Sequence, residues 1–337
     1  MLWALLAYVA AGLICGALGD GLSKSLHDSL KDSHRLWSLG LFVAALTLEP
    51  EGDPAPALAA GLGLGALIGM AQWLWNLLAR HPERAHAFVH PVTYGEQMAL
   101  GALAAGCAFA RAETPRVRRA AAVVGALCAA ALLLSGTRAA LIALAVGAFA
   151  AAALEPRLRR AAAVAAVLGT LGATADEALR YGRAHLGAEL AVSAATPQGT
   201  RYALWGAAWR MFRDHPWTGV GPGHYLTEFP RYVHVVLDGQ SAWASAHNLF
   251  LQQLAERGLL GETVLLALLG LLLIRAWRAA RARGDAAALW AAAAVPAFLV
   301  MNLTETAWQT EQLATFFLLI WALGAAPRAS SPQTKPI

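Results

Sequence analysis

The run Ala120-Ala121-Ala122-Val123-Val124-Gly125-Ala126-Leu127-Cys128-Ala129-Ala130-Ala131-Leu132-Leu133-Leu134 carries no charge, and neither does Thr263–Ile274. A helix that is apolar all round must be buried or lie in lipid. Barrel strands would alternate apolar with polar residues and would not give continuous runs of this length. These two segments therefore set the fold class: an all-α, polytopic membrane protein.

The rest of the chain agrees. It has 337 residues, 58% hydrophobic and 14% charged, where an ordinary soluble domain is about 25% charged. Apolar segments of the length a span needs, about 17–25 residues, give about ten transmembrane helices. They cover 2–19, 36–49, 57–79, 94–111, 118–134, 138–154, 159–175, 258–275, 286–303 and 311–326. The second is short for a span. The organisation is N-terminal transmembrane helices over 1–175, one long polar loop over 176–246, C-terminal transmembrane helices over 247–326, and a Pro/Ser-rich tail over 327–337 expected to be disordered. The first segment starts at Met1 with no basic n-region, which reads as a retained helix rather than a cleaved signal.

The net charge of +5 would suggest nucleic acid in a soluble protein. Here the arginines cluster in short loops between spans and read as topology signals, with no nucleic-acid partner. Arg116, Arg118 and Arg119 share one loop, Arg157, Arg159 and Arg160 another, and Arg275, Arg278, Arg281 and Arg283 a third. The span count puts all three on one side, which the positive-inside rule makes cytoplasmic. The acidic loop with Glu49, Glu51 and Asp53 falls on that side too, against the trend. Loop 80–93, the turn at Arg138 and the long loop then face outward. Cys15, Cys107 and Cys128 lie in apolar segments, with neither metal-ligand spacing nor a disulfide pattern.

Chemistry is expected on the outward face. Ala246-His247-Asn248-Leu249 marks the point where the polar loop re-enters apolar sequence, so His247 stands at a membrane–water boundary. Ionisable groups there are costly and more often functional than decorative. Asn248 is placed to orient His247 or to cap the following helix. Upstream, Thr200 reads as the N-cap of a helix that Pro216 ends, with Trp205, Trp209 and Phe212 on one face and Arg201, Arg210 and Arg213 interleaved. This is the pattern of an amphipathic helix lying on membrane lipids. Trp217-Thr218-Gly219-Val220-Gly221-Pro222-Gly223 follows as a glycine turn whose backbone could approach a ligand closely. Arg138 opens an outward-starting helix, where a cation opposes the macrodipole. A guanidinium there is suited to holding phosphate in a bidentate fork.

The His247-Asn248 motif with Gly258 and Gly261, the stretch from Arg201 through Pro216 to Gly219-Val220-Gly221, Ser135-Gly136-Thr137-Arg138, and the loop His90-Pro91-Val92-Thr93-Tyr94-Gly95 resemble, in order, those of the O-antigen ligase and polymerase superfamily. The resemblance covers residues 90–261, and its His-Asn motif is the most specific part. It implies a GT-C-like glycosyltransferase of the bacterial inner membrane with its site facing the periplasm. Such an enzyme moves a glycan from undecaprenyl diphosphate to an acceptor hydroxyl without a metal or other cofactor. The acceptor would be a sugar of the lipid A core, another lipid-linked repeat unit, or a serine or threonine of a protein. By the resemblance His247 is the general base, and Arg138 and Arg201 hold the diphosphate. Arg210, Asn248, Gly219, Gly221 and His90 would contact substrate. The sequence shows no carboxylate cluster suited to a metal. The superfamily's ligases commonly have about twelve spans, so this chain looks like a compact or N-terminally shortened member. A lipid-linked glycan transporter is the alternative of another class. It would carry charges near mid-membrane, for which Glu96 is the clearest candidate.

Overall fold

The computed structural model describes residues 2–18, 55–81, 83–181, 197–233 and 242–325, with 27, 38 and 40–43 between them. The described elements are helices throughout. The bundle consists of α1 (Leu2–Leu18), α2 (Ala55–Leu78), α3 (Pro91–Arg111), α4 (Pro115–Ser135), α5 (Arg138–Leu154), a 3-10 turn at Pro156–Leu158, α6 (Arg159–Tyr181), α9 (Leu249–Arg283), α10 (Ala286–Thr304) and α11 (Glu311–Ala325). Between α6 and α9 lie α7 (Pro197–Asp214) and α8 (Tyr225–Tyr232).

Among the described residues, four helices are long and apolar enough to cross a membrane: Pro56–Leu78, Pro115–Ser135, Leu249–Arg283 and Ala286–Thr304. Shorter apolar helices at Trp3–Leu18, Arg138–Leu154 and Glu311–Ala325 pack with them. The helices fall where the apolar runs predicted, except that most of the expected span 36–49 lies outside the described residues, as does the tail 327–337. Helix α7 begins at Pro197 rather than at Thr200. Proline suits a first helical turn, where its missing N–H has no partner to lose.

Helix ends follow local chemistry. Pro91 and Pro115 open α3 and α4, with His90 Nδ1 accepting from Val92 N at 3.3 Å and Thr114 Oγ1 accepting from Val117 N at 3.3 Å. Asp285 caps α10 by accepting from Ala288 N at 2.8 Å. Such caps satisfy amides that the helix itself leaves open.

Helix α10 runs through the centre. Trp290 Nε1 donates to Leu100 O at 2.9 Å, tying α10 to α3, and Trp321 Nε1 donates to Leu272 O at 3.0 Å, tying α11 to α9. The Phe298 and Phe317 rings stack with centroids 4.0 Å apart. Elsewhere the α10 interfaces are alanine-rich: Ala291, Ala293, Ala294 and Ala297 are fully buried. Small residues let helices approach closely where lipid, not water, is the surrounding solvent. Leu64, Ile142, Phe149, Val167, Leu266 and Ile274 remain exposed around the outside, the surface expected to face lipid.

The two ends of the bundle differ. At one, Arg111 pairs with Glu155 at 3.1 Å, and Arg283 pairs with Asp285 and donates to Gly324 O at the end of α11. Cations at helix C-termini complement the macrodipole. At the other end, α9 begins, α4 meets α5, and α10 finishes, and α7 and α8 pack there. Leu204, Ala207, Ala208 and Met211 of α7 join Tyr225 and Phe229 of α8 in a small core of their own. Tyr225 Oη donates to Leu204 O at 2.8 Å, and burial pushes this phenol above its ordinary pKa. The opposite face of α7 leaves Tyr202 and Trp209 exposed, as an amphipathic helix on lipid would.

Candidate active site

The site is assembled where α9 begins. Asn248 caps that helix: its Oδ1 accepts from Leu251 N at 3.0 Å, and its Nδ2 donates to Leu303 O at 2.9 Å. One side chain thus starts α9 and ties it to the end of α10. Just before it, His247 sits at φ +49°, a left-handed conformation that residues other than glycine seldom adopt. Strain of this kind persists only where neighbours over-determine it, and it is found most often at functional sites. Here His247 N donates to Ser245 Oγ at 3.0 Å, and Ser245 Oγ lies 3.3 Å from Thr306 Oγ1.

The bent backbone turns the imidazole toward α10. His247 Nδ1 is 2.7 Å from Glu305 Oε2, and Arg201 Nη2 donates to Glu305 Oε1 at 2.9 Å. Glu305 thus joins the expected base to one of the two expected phosphate-binding arginines. With the imidazole neutral and the carboxylate ionised, the short contact puts the proton on Nδ1 and the lone pair on Nε2. Nε2 makes no hydrogen bond among the described residues. Glu305 is held in turn: it follows α10 directly, its N–H donates to Met301 O, and Asn302 Oδ1 braces the turn by accepting from Trp308 N at 2.8 Å.

Glu305 is the site residue that sequence reasoning missed. Its signal was present: a lone carboxylate closing an otherwise apolar span, Met301-Asn302-Leu303-Thr304-Glu305. Only its pairing with a histidine fifty-eight residues away needed the fold. Glu96, noted as a possible mid-membrane charge, is 2% exposed on α3 and within Coulombic range of Glu305.

Arg138 stands at the first position of α5, at this same end of the bundle. The turn that carries it is clamped. Arg84 donates to Ser135 O and, at 2.9 Å, to Thr137 Oγ1, while Thr137 Oγ1 donates to Pro91 O at 3.2 Å. The His90 loop and the Arg138 turn are thereby one unit, and within it His90 caps α3.

The remaining expected residues have partners elsewhere. Arg210 lies nine residues beyond Arg201 on α7, about 13 Å along the helix at 1.5 Å per residue. Its Nη2 donates to Tyr232 O at 2.9 Å, the last residue of α8. Gly219 and Gly221 serve a break in α9. Gly258 has φ +58° and ψ −159°, so α9 is two helical pieces joined at a kink. There Val220 N donates to Ala255 O at 2.9 Å and Gly221 N to Glu256 O at 3.0 Å. Leu259 N and Leu260 N donate to Pro216 O and Trp217 O at 2.9 and 3.1 Å. The glycine turn thus closes the backbone groups that the kink opens. It has no room for side chains: a Cβ on Gly219 would sit 2.3 Å from Glu256 C, and one on Gly258 2.4 Å from Trp217 C. Gly219 and Gly258 thus approach protein backbone closely. Glu256 locks the arrangement, with Oε1 accepting from Tyr225 N at 3.2 Å and Gln252 Nε2 at 2.9 Å.

A carboxylate–histidine pair with an adjacent arginine thus stands at one end of a bundle of apolar helices. Residues 122–266 match the O-antigen ligase family, a family of glycosyltransferases, so this stretch of the chain is similar to theirs. The matched segment includes Arg138, Arg201 and His247 and stops short of Glu305. No curated protein matches the chain.

Proposed function

We propose that the protein transfers a glycan from undecaprenyl diphosphate to a hydroxyl of a lipid A-core sugar. Transfer takes place at the periplasmic face of the bacterial inner membrane, without metal or cofactor. The observation that carries this reading is Glu305 shared between His247 and Arg201. His247 Nε2 takes the proton from the acceptor hydroxyl. The acceptor oxygen forms a bond to the anomeric carbon as the bond from that carbon to the phosphate oxygen breaks. The electron pair leaves with the diphosphate. Glu305 stabilises the imidazolium that forms, as the acid of a catalytic triad does. Arg138 and Arg201 stabilise charge growing on the leaving group, an interaction stronger in the transition state than in the ground state. One displacement with no covalent intermediate inverts the anomeric centre. Asn248 and His90 hold the helix starts that carry the centre, and the exposed aromatics of α7 rest on membrane lipids.

The same chemistry serves an O-antigen polymerase or a protein O-oligosaccharyltransferase, which differ only in acceptor. The test uses purified protein, undecaprenyl-diphosphate-linked glycan and three separate acceptors: rough lipopolysaccharide, further lipid-linked repeat, and a pilin-like protein. Glycan is followed by gel mobility. Transfer to rough lipopolysaccharide, lost in His247→Ala, is the expected result. Donor binding with no transfer to any acceptor would favour a transporter.

A further inference from the structure

Several polar atoms around His247, Glu305 and Arg201 are shielded from solvent yet have no hydrogen-bond partner among the described residues. They are Nε1 of Trp243, Nε1 of Trp205, Oγ1 of Thr304 and Oε1 of Glu96. Buried donors and acceptors are almost always satisfied, and tryptophan N–H groups are usually paired when shielded. Each of these four is linked to the site by a ring contact, a Coulombic interaction or its position in the chain. The Trp243 ring lies edge-on to the imidazole, with centroids 6.0 Å apart and planes at 70°. Trp205 is one helical turn beyond Arg201 and so on the same face of α7. Thr304 precedes Glu305 in the chain. Glu96 is within Coulombic range of Glu305. Two are donors and two accept, the demand that a molecule bearing several hydroxyls can meet. The Trp243 ring is half-buried: it packs against the small α7–α8 core and lies beside the base.

We propose that Trp243 is the platform for an acceptor pyranose, whose ring packs on the indole while one of its hydroxyls reaches His247 Nε2. The proposal rests on His247 being the base, because a group touching the base meets the acceptor, whereas groups beside the arginines meet the donor diphosphate. It narrows the acceptor to a sugar and excludes a bare serine or threonine. Thr304 and Glu96 are partners for the remaining hydroxyls, while Trp205, beside Arg201, falls on the donor side.

The test is binding of rough lipopolysaccharide to the full-length protein in detergent without donor, so that it does not depend on turnover. Trp243→Leu is expected to weaken retention about tenfold, a stacking interaction's worth. Trp243→Phe, which keeps a ring but loses the N–H, is expected to weaken it less and to report that the fold is intact. His247→Ala should still bind. Binding of undecaprenyl-diphosphate-linked glycan should be unchanged in Trp243→Leu, and a serine/threonine peptide should not be retained. The proposal is overturned if Trp243→Leu binds lipopolysaccharide like wild type, or loses donor and acceptor alike. Peptide binding that depends on Trp243 overturns it, as does a wild-type protein that does not retain lipopolysaccharide. If instead His247→Ala still transfers glycan, the general-base reading fails, while the binding result stands separately.

Discussion

The segment Ala246–Gly261 uses its two ends in opposite ways. At Gly258 the helix breaks, and the backbone groups opened by the break are closed within the protein by Val220, Gly221, Pro216 and Trp217. At His247 the backbone is also bent into the left-handed region, but the bend turns an imidazole toward Glu305 and leaves Nε2 without a partner among the described residues. Nε1 of Trp243, whose ring touches the imidazole, is likewise unmatched among the described residues. Polar groups consumed inside the fold hold structure, and those left open at a strained position are available to a substrate. A single sequence motif therefore divides between holding and reacting.

The comparison breaks first if the two ends respond alike to substitution. The largest effect is expected from His247→Ala. Transfer should fall by roughly a thousandfold, the contribution of a general base, with thermal unfolding unchanged. Glu305→Gln should follow, costing on the order of a hundredfold in kcat with little change in acceptor KM. An amide cannot stabilise the imidazolium and can present its own N–H to Nδ1, favouring the wrong tautomer. Full activity in Glu305→Gln would reduce the carboxylate to a structural tie. At the other end, Gly258→Ala should act on folding. The Cβ would lie 2.4 Å from backbone at Trp217, and overpacking of this kind costs roughly 3 kcal/mol. The measurement is the folded fraction by gel filtration and the melting temperature, with activity per folded molecule near wild type. A Gly258→Ala protein that folds normally but is inactive would place the kink in the chemistry.

How far the sequence could be read follows the same division. The helices of the bundle were legible because apolar runs, proline at first turns and capping residues are local signals. His247 and Arg138 were legible as residues costly at their positions, Asn248 as a cap and Arg201 through the family resemblance. Glu305 was not, because its role comes from a contact spanning fifty-eight residues and a helix end whose depth is set by packing of α10. The glycine turn was seen, but its partner was not. Nothing in Gly219-Val220-Gly221 says that its amides will meet the carbonyls of Ala255 and Glu256, since the kink that frees them appears only in three dimensions.

The finest prediction separates the two arginines of α7. Arg201 donates to Glu305, whereas Arg210 donates to the carbonyl that ends α8. Arg201→Ala should therefore cost on the order of a hundredfold in transfer, losing a preorganised donor beside the leaving group. Arg210→Ala should cost about fivefold or less, in line with one partly exposed hydrogen bond, and mainly through a looser α7–α8 pair. Lysine substitution sharpens the distinction. Arg210→Lys keeps a single donor for a single carbonyl and should be near wild type. Arg201→Lys keeps the charge but loses the fork, so one guanidinium can no longer serve Glu305 and a phosphate oxygen together. Steady-state kinetics in the donor decide it. If Arg210→Ala raises donor KM as much as Arg201→Ala does, the whole charged face of α7 holds the diphosphate, and the helix belongs to the reacting end of the molecule rather than the holding one.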